Sequence, residues 1–385
     1  MPWKVTDPMC ERAKFVALYQ EGLFSISELC RRFGVSRNTG YKWLARYEQG
    51  GVKSLKDQSR APLTCPHQTA PEVEEALLQA RREHPTWGPK KLLPYLAKRR
   101  PDLPERLPAP STVGEIFKAG GLSQPRKRPA RTWKHPGAVP LVTDAPNQVW
   151  CADFKGQFPT QDGKNCYPLT ITDAHSRFLL CCHGLPSVRQ EGAFPVFERV
   201  FAEFGLPHAI RTDNGVPFAT QAICGLSKLS VWWIKLGIAH QRIEPGRPEQ
   251  NGRHERMHKT LKRETARPPQ QDHPAQQARF DAFQTEFNWE RPHEALGQNT
   301  PASLYVASAR PLPKALPAPA YPGHFQVRLV SKSSMFRLHH RPIFISEALI
   351  DEHIGLEETG DGVWSLYFYD VLLGRLNERD YKVRG

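Results

Sequence analysis

Between residues 142 and 309 the chain sets short apolar runs in an order that few folds accept. "NQVWCADFKGQF" (147–158), "YPLTITDAHSRFLLCCHGL" (167–185) and "AIRTDNG" (209–215) are alternating or apolar runs of the kind that form strands. "EGAFPVFERVFAEFG" (191–205) reads as a helix and precedes the third run. Residues 250–265 are polar but helix-compatible, and 275–296 form another helical region. Strands first, then helix, strand and helices, predict an α/β domain built on a mixed sheet.

The residues before this region have a different texture. Residues 1–135 hold 25 Lys and Arg against 13 Asp and Glu, which leaves only +2 of the net +14 for the other 250 residues. A basic third on a nearly neutral body predicts a module that binds a polyanion, nucleic acid above all. Within it, "CERAKFVALYQEG" ends at Gly22. "SISELCRRFG" carries Ser25 and Glu28 as a capping box and Gly34 as a stop, and "SRNTGYKWLARYEQGG" opens at Ser36. A short helix, a tight glycine turn and a third helix form a helix-turn-helix arrangement over 1–52, with Trp43 and Leu44 toward its core. Arg37, Asn38, Lys42 and Arg46 on the third helix are then the residues placed to reach DNA.

A linker (53–69) leads to a second helical unit of similar kind over 70–122, containing "HPTWGPKKLLPYL". "SQPRKRPARTWKHPG" follows in a basic, proline-rich linker (123–141), where Arg126, Lys127, Arg128 and Arg131 could track phosphates. A Pro/Ala linker (310–323) separates the α/β region from residues 324–385. There, alternating runs such as "FQVRLV" and "VWSLYFYD" around Gly-Asp-Gly predict a small all-β, barrel-like domain.

The eight cysteines form no C-x-x-C, which argues against a zinc ribbon or a disulfide framework and favours a reducing cytosol. No apolar run approaches the roughly 18 residues of a membrane span, and no secretory signal is legible at the N-terminus.

Three acids stand out by position. Asp153 lies within the first strand pattern, Asp213 at the end of a later one, and Glu255 at the start of a helix. They are 60 and 42 residues apart. Carboxylates on strand ends and on an overlying helix can converge, and hard oxygen ligands suit Mg²⁺ or Mn²⁺. Two such ions would activate a water or a 3′-hydroxyl and stabilise the leaving oxygen in an in-line displacement. Lys259 and Lys262 share the helical face of Glu255 and are placed to hold DNA phosphate.

The stretches "VWCADFKG", "ITDAHSRF", "IRTDNGVPF", "PEQNGRHERMHKTLKRE" and "FNWERPHEALGQNTPASLY" resemble, in this order, the motifs of the DDE transposase and retroviral-integrase superfamily. They are most similar to bacterial insertion-sequence transposases. The resemblance spans roughly residues 147–305, and the N-terminal helical modules share it. It implies an RNase H-like core over 142–309, with Asp153, Asp213 and Glu255 as catalytic and metal-binding triad. It also implies two Mg²⁺ or Mn²⁺ ions, DNA substrates (terminal inverted repeats and target DNA), a homo-multimer on DNA, and a cytoplasmic, nucleoid-associated site of action in a bacterium. On this reading Asp173 and the Arg291-Pro292-His293 motif are structural.

Two features depart from the family pattern. The interval from Asp213 to Glu255 is longer than is common there, which places an insertion around "CGLSKLSVWW", and Glu249 adds an acid beside the site. They keep open the alternative of a DNA-binding regulator with an inactive core. A second alternative comes from His254-Glu255-Arg256-Met257-His258, which matches the H-E-x-x-H of zinc proteases. The surrounding Arg253, Arg256, Lys259, Lys262 and Arg263 oppose a dication held by neutral ligands. That leaves Glu255 as a Mg²⁺ ligand, His254 without a ligand role and His258 near enough to touch DNA.

Overall fold

The computed structural model describes residues 7–59, 68–123, 143–220, 223–244 and 252–384. The basic residues Arg126, Lys127, Arg128 and Arg131 and the acid Glu249 lie outside them. The chain divides into two compact units, Met1–Gln68 and Thr69–Gly385.

The first unit is three helices: α1 (Pro8–Gln20), α2 (Ile26–Phe33) and α3 (Arg37–Gly50). The expected capping box is present: Ser25 Oγ accepts from the Glu28 amide and the Glu28 carboxylate accepts from the Ser25 amide. Gly34 ends α2 at φ 65°, a conformation that costs glycine little. Phe15, Val16, Leu29, Cys30, Leu44 and Leu55 form the core, with Trp43 half-buried against it.

The second unit begins with α4 (Pro71–Glu83), α5 (Pro89–Arg99) and α6 (Pro110–Ala119), packed around Leu77, Trp87, Leu92 and Phe117. A mixed sheet follows, built from β1 (Val149–Phe154), β2 (Phe158–Pro159), β3 (Asn165–Asp173), β4 (Leu179–Leu185), β5 (Ala209–Thr212) and β6 (Ala239–Arg242). Its order is β2-β3-β1-β5-β6, with β4 also on β3. The β1–β3 and β3–β4 pairs are antiparallel, and β1–β5 and β5–β6 are parallel.

Helices cover both faces. Strand alternation turns Trp150, Ala152, Leu169 and Ile171 toward α7 (Gln190–Phe204) and α8 (Lys228–Lys235). On the opposite face α9 (Gly252–Thr265) and α10 (His273–Thr285) pack through Met257, Leu261, Phe280 and Phe283 onto Cys166, Leu179 and Cys182. Asp173 is structural as expected: it is buried and accepts from the amides of Asn147 and Ser176 and from the Ser176 hydroxyl.

The C-terminal part differs from the barrel-like expectation. Strands β7 (Gln326–Leu329), β10 (His353–Gly360), β11 (Val363–Phe368), β12 (Val371–Asn377) and β13 (Lys382–Arg384) form an open sheet ordered β13-β12-β11-β10-β7. A separate hairpin holds β8 (Met335–Leu338) and β9 (Arg341–Phe344). Among the described residues the end strands do not pair, so nothing closes. The sheet does not need closure to bury its apolar face, because Leu226, Val231 and Ile234, on and before α8, join its core. The stretch expected as an insertion is therefore a packed element, shared by core and C-terminal sheet. Lys235 on α8 is also paired with Glu352 at 2.6 Å.

Candidate active site on the central sheet

Asp153 and Asp213 are brought together by strand register. Val149, Trp150 and Cys151 of β1 stand level with Ala209, Ile210 and Arg211 of β5. Continued for two residues, that parallel register sets Asp153 level with Asp213 on adjacent chains, which lie about 4.8 Å apart in a sheet. Asp213 sits in the turn that ends β5, where its Oδ1 accepts from the Gly215 amide at 3.1 Å. A Cβ on Gly215 would stand 3.1 Å from Asp213 Oδ2, so glycine leaves that carboxylate its room.

Helix α9 is laid over β3 and β4 and reaches Asp153 on β1. His254, Met257, His258, Leu261 and Thr265 are buried, while Glu255, Lys259 and Lys262 are exposed. The inward spacing is that of an amphipathic helix, although two of its inward residues are imidazoles. Both reach β3, where Thr170 pairs across the sheet with Asp153. Thr170 Oγ1 lies 2.7 Å from His254 Nε2 and 2.6 Å from His258 Nε2, and donates to the Asp153 carbonyl at 3.1 Å. Thr172 Oγ1 is 3.0 Å from His254 Nδ1. His258 Nδ1 is 3.7 Å from Asp153 Oδ2.

The charges of the three acids meet at Asp153. Burial first, then the neighbouring Asp213, push its carboxyl up to about 7, against downward pulls from a backbone hydrogen bond and from Lys155, with Glu255 adding the smallest upward push. Burial pushes His254 down to about 3, and burial with the neighbouring His254 holds His258 far below the usual imidazole range. A largely buried carboxyl held up by neighbouring carboxylates is what a divalent cation would relieve. The tight His and acid cluster among the described residues, with ligand atoms within 4.8 Å of one another, is Asp153, His254 and His258. His258 is 3% exposed, which corrects the expectation that it touches DNA: the helical stripe turns it under Asp153.

Models of an integrase core domain match residues 143–248 and 236–301. A helix-turn-helix domain model matches residues 11–62 and a homeodomain-like domain model residues 39–117. The chain carries an integrase core preceded by helix-turn-helix domains. It is 25% identical over 272 residues to a protein of insertion element IS476 of Xanthomonas euvesicatoria, covering 69% of this chain and 73% of that one. It is 25% identical over 196 residues to a protein of insertion element IS407 of Burkholderia multivorans, covering 50% and 67%. The Pol polyprotein of feline endogenous virus ECE1 is 32% identical over 118 residues, 30% of this chain and 10% of that one. Among solved structures it is similar to the HTLV-2 integrase catalytic core in complex with magnesium (17% identity, 42% of this chain and 97% of that one, TM-score 0.33). A simian T-cell lymphotropic virus intasome structure also matches (17% identity, 69% and 90%, TM-score 0.36). The integrase-core models and the insertion-element relatives thus agree on the middle of this chain.

Around this integrase core the other expected residues divide. Arg37, Asn38 and Lys42 are exposed along α3. Arg46 is half-exposed: it donates to Gln58 at 3.0 Å and lies 4.8 Å over Trp43, whose ring also meets Arg12 at 3.8 Å and Lys42 at 5.6 Å. Arg291 is buried and paired with Glu264 at 2.9 Å, as a packing motif requires. Its guanidinium lies 5.7 Å over Trp87, and Thr86 donates to the same Glu264. With His84–Glu286 at 3.3 Å and Lys90–Glu294 at 3.0 Å, the α4–α5 turn is tied to the integrase core. No helix among the described residues is long and apolar enough to cross a membrane.

Proposed function

We propose that this chain is a DNA transposase whose integrase core cleaves the ends of its element and joins the freed 3′-hydroxyl to target DNA. The observation that supports the reading is the β1–β5 register, which, continued for two residues, brings Asp153 level with Asp213, together with Glu255 in the first turn of α9. The three acids are the catalytic triad, and they would hold Mg²⁺ or Mn²⁺, two ions in the complete site. Such ions, when bound, lower the pKa of an attacking water and neutralise a leaving oxygen. The chain's own residues do the rest. Lys259 and Lys262, exposed on the Glu255 helix, hold the phosphates that flank the scissile bond. Arg37, Asn38 and Lys42 present α3 to the terminal repeats, and Arg126, Lys127, Arg128 and Arg131 follow the backbone between the modules. Two element ends are held by a multimer of the chain, acting in the bacterial cytoplasm on the nucleoid.

The test is Asp153→Asn with DNA carrying the element's own ends. Mg²⁺-dependent cleavage is lost while the gel-shift with end DNA survives. Cleavage at wild-type rate in the variant overturns the assignment.

A further inference from the structure

We propose that His258 is itself a metal ligand, its Nδ1 binding, beside Asp153, the cation of the catalytic site. This rests on the catalytic reading above and adds an imidazole to a ligand set that otherwise consists of carboxylates.

One proton decides the roles of both imidazoles. Thr170 Oγ1 has three neighbours within hydrogen-bond distance: the Asp153 carbonyl at 3.1 Å, His254 Nε2 at 2.7 Å and His258 Nε2 at 2.6 Å. A hydroxyl donates once and accepts twice, and a carbonyl only accepts. With the Thr170 proton on the carbonyl, both imidazoles donate from Nε2. Their second nitrogens are then lone-pair bearers. His254 Nδ1 uses its lone pair on Thr172, whose hydroxyl stands 3.0 Å away. His258 Nδ1 points instead at Asp153 Oδ2, 3.7 Å away.

A lone pair faces a carboxyl oxygen either across the carboxyl proton, which needs a hydrogen-bond distance of about 3 Å, or across a cation, and 3.7 Å is too long for the first. Two ligands on one divalent ion, each about 2.1 Å from it, stand about 3 to 4 Å apart. The distance observed falls in that interval. The three-residue cluster therefore divides into roles: Asp153 and His258 are ligands, and His254 is a positioning residue whose two nitrogens are spent on β3. Thr170 fixes the tautomer of His258 as an outer-shell partner does in metal sites generally. A nitrogen donor among oxygens also shifts preference away from Mg²⁺ and toward Mn²⁺.

The experiment is pulsed EPR of Mn²⁺ bound to the full chain, with histidine at natural abundance and with ¹⁵N-histidine. Nitrogen modulation of a directly coordinated imidazole is expected, changing with the label. In His258→Asn it disappears, with Mn²⁺ affinity lower on the order of tenfold. Mn²⁺ bound through Asp153 with no nitrogen modulation overturns the ligand assignment and leaves the carboxylate site standing. So does modulation that persists in His258→Asn. Mn²⁺ binding that is absent, or unchanged in Asp153→Asn, overturns both this assignment and the catalytic reading. Should His258→Asn not fold, the wild-type spectrum still decides, since absent nitrogen modulation refutes the ligand directly.

Discussion

Replacing Asp153 by asparagine removes a carboxylate that the fold makes costly to ionise. Its carboxyl rises from the ordinary 3.8 to about 7 through burial and the charges of Asp213 and Glu255. The side chain is 17% exposed, so solvent screens these effects only partly. The folded protein therefore holds this proton more tightly than the unfolded chain does. The stability this contributes is complete below pH 4 and drains as the pH rises through 7. A rise of that size corresponds to roughly 4 kcal/mol. Asparagine does not titrate but makes weaker hydrogen bonds, so the net gain in the variant is about 2 kcal/mol at pH 8. At pH 4.5, where only about 1 kcal/mol of that has drained, the variant is the less stable by about 1 kcal/mol. The buried histidines, neutral in the fold, have the opposite pH slope, but both proteins share them and the difference cancels it. Urea unfolding in EDTA, followed by tryptophan fluorescence from pH 4.5 to 8, reads the difference. With saturating Mn²⁺ the order inverts, because the wild type then gains binding free energy that the variant lacks. A difference that stays flat across this pH range refutes the electrostatic account of the site.

Two substitutions test the supports of the site. Thr170→Val deletes the hydroxyl that hydrogen-bonds both buried imidazoles. Stability falls by about 3 kcal/mol and Thr170→Ser restores most of it, a contrast that the urea midpoint resolves. Arg291→Met leaves Glu264 buried without the guanidinium that binds both its oxygens at 2.9 and 3.1 Å, and costs about 3–5 kcal/mol. Adding Glu264→Gln recovers most of that loss, and a thermal-melting double-mutant cycle that shows no coupling removes the pair from the packing of this unit.

How much of this was legible in the chain depends on how far apart the deciding residues lie. The mixed sheet and the helical N-terminal unit were legible because strand alternation, caps and glycine stops are local signals. Ser25, Glu28 and Gly34 sit within ten residues and do what their spacing says. The open C-terminal sheet was not legible. Its pattern of short alternating strands is the same for a barrel and for a sheet whose apolar face is filled from elsewhere, and here the filling comes from Leu226, Val231 and Ile234, about a hundred residues earlier. The docking of the Trp87 turn was hidden for the same reason. Its partners Glu264 and Arg291 belong to another part of the chain, and "HPTWG" alone shows only a turn.

The histidines of "NGRHERMHKT" are a different case, because their signal was local and was outvoted. Positions 254, 257, 258, 261 and 265 are the inward stripe of α9, and Met257 and Leu261 mark it even in the sequence. The cationic residues around them argue against zinc held by neutral ligands alone, and that objection stands. It does not reach the proposed site, in which Asp153, Asp213 and Glu255 would supply the negative charge. The stripe asks what a buried polar pair on that face is for. The sheet beneath answers with Thr170 and Thr172, two hydroxyls where an apolar face would carry valine or isoleucine. An imidazole stripe over a hydroxyl stripe satisfies its own hydrogen bonds, so it can be buried without large cost. It also holds the start of α9 in one register over Asp153. Slide α9 by one turn and Glu255 leaves the acids while both imidazoles lose their hydroxyls. The contacts that bury His254 and His258 are therefore the same contacts that aim Glu255.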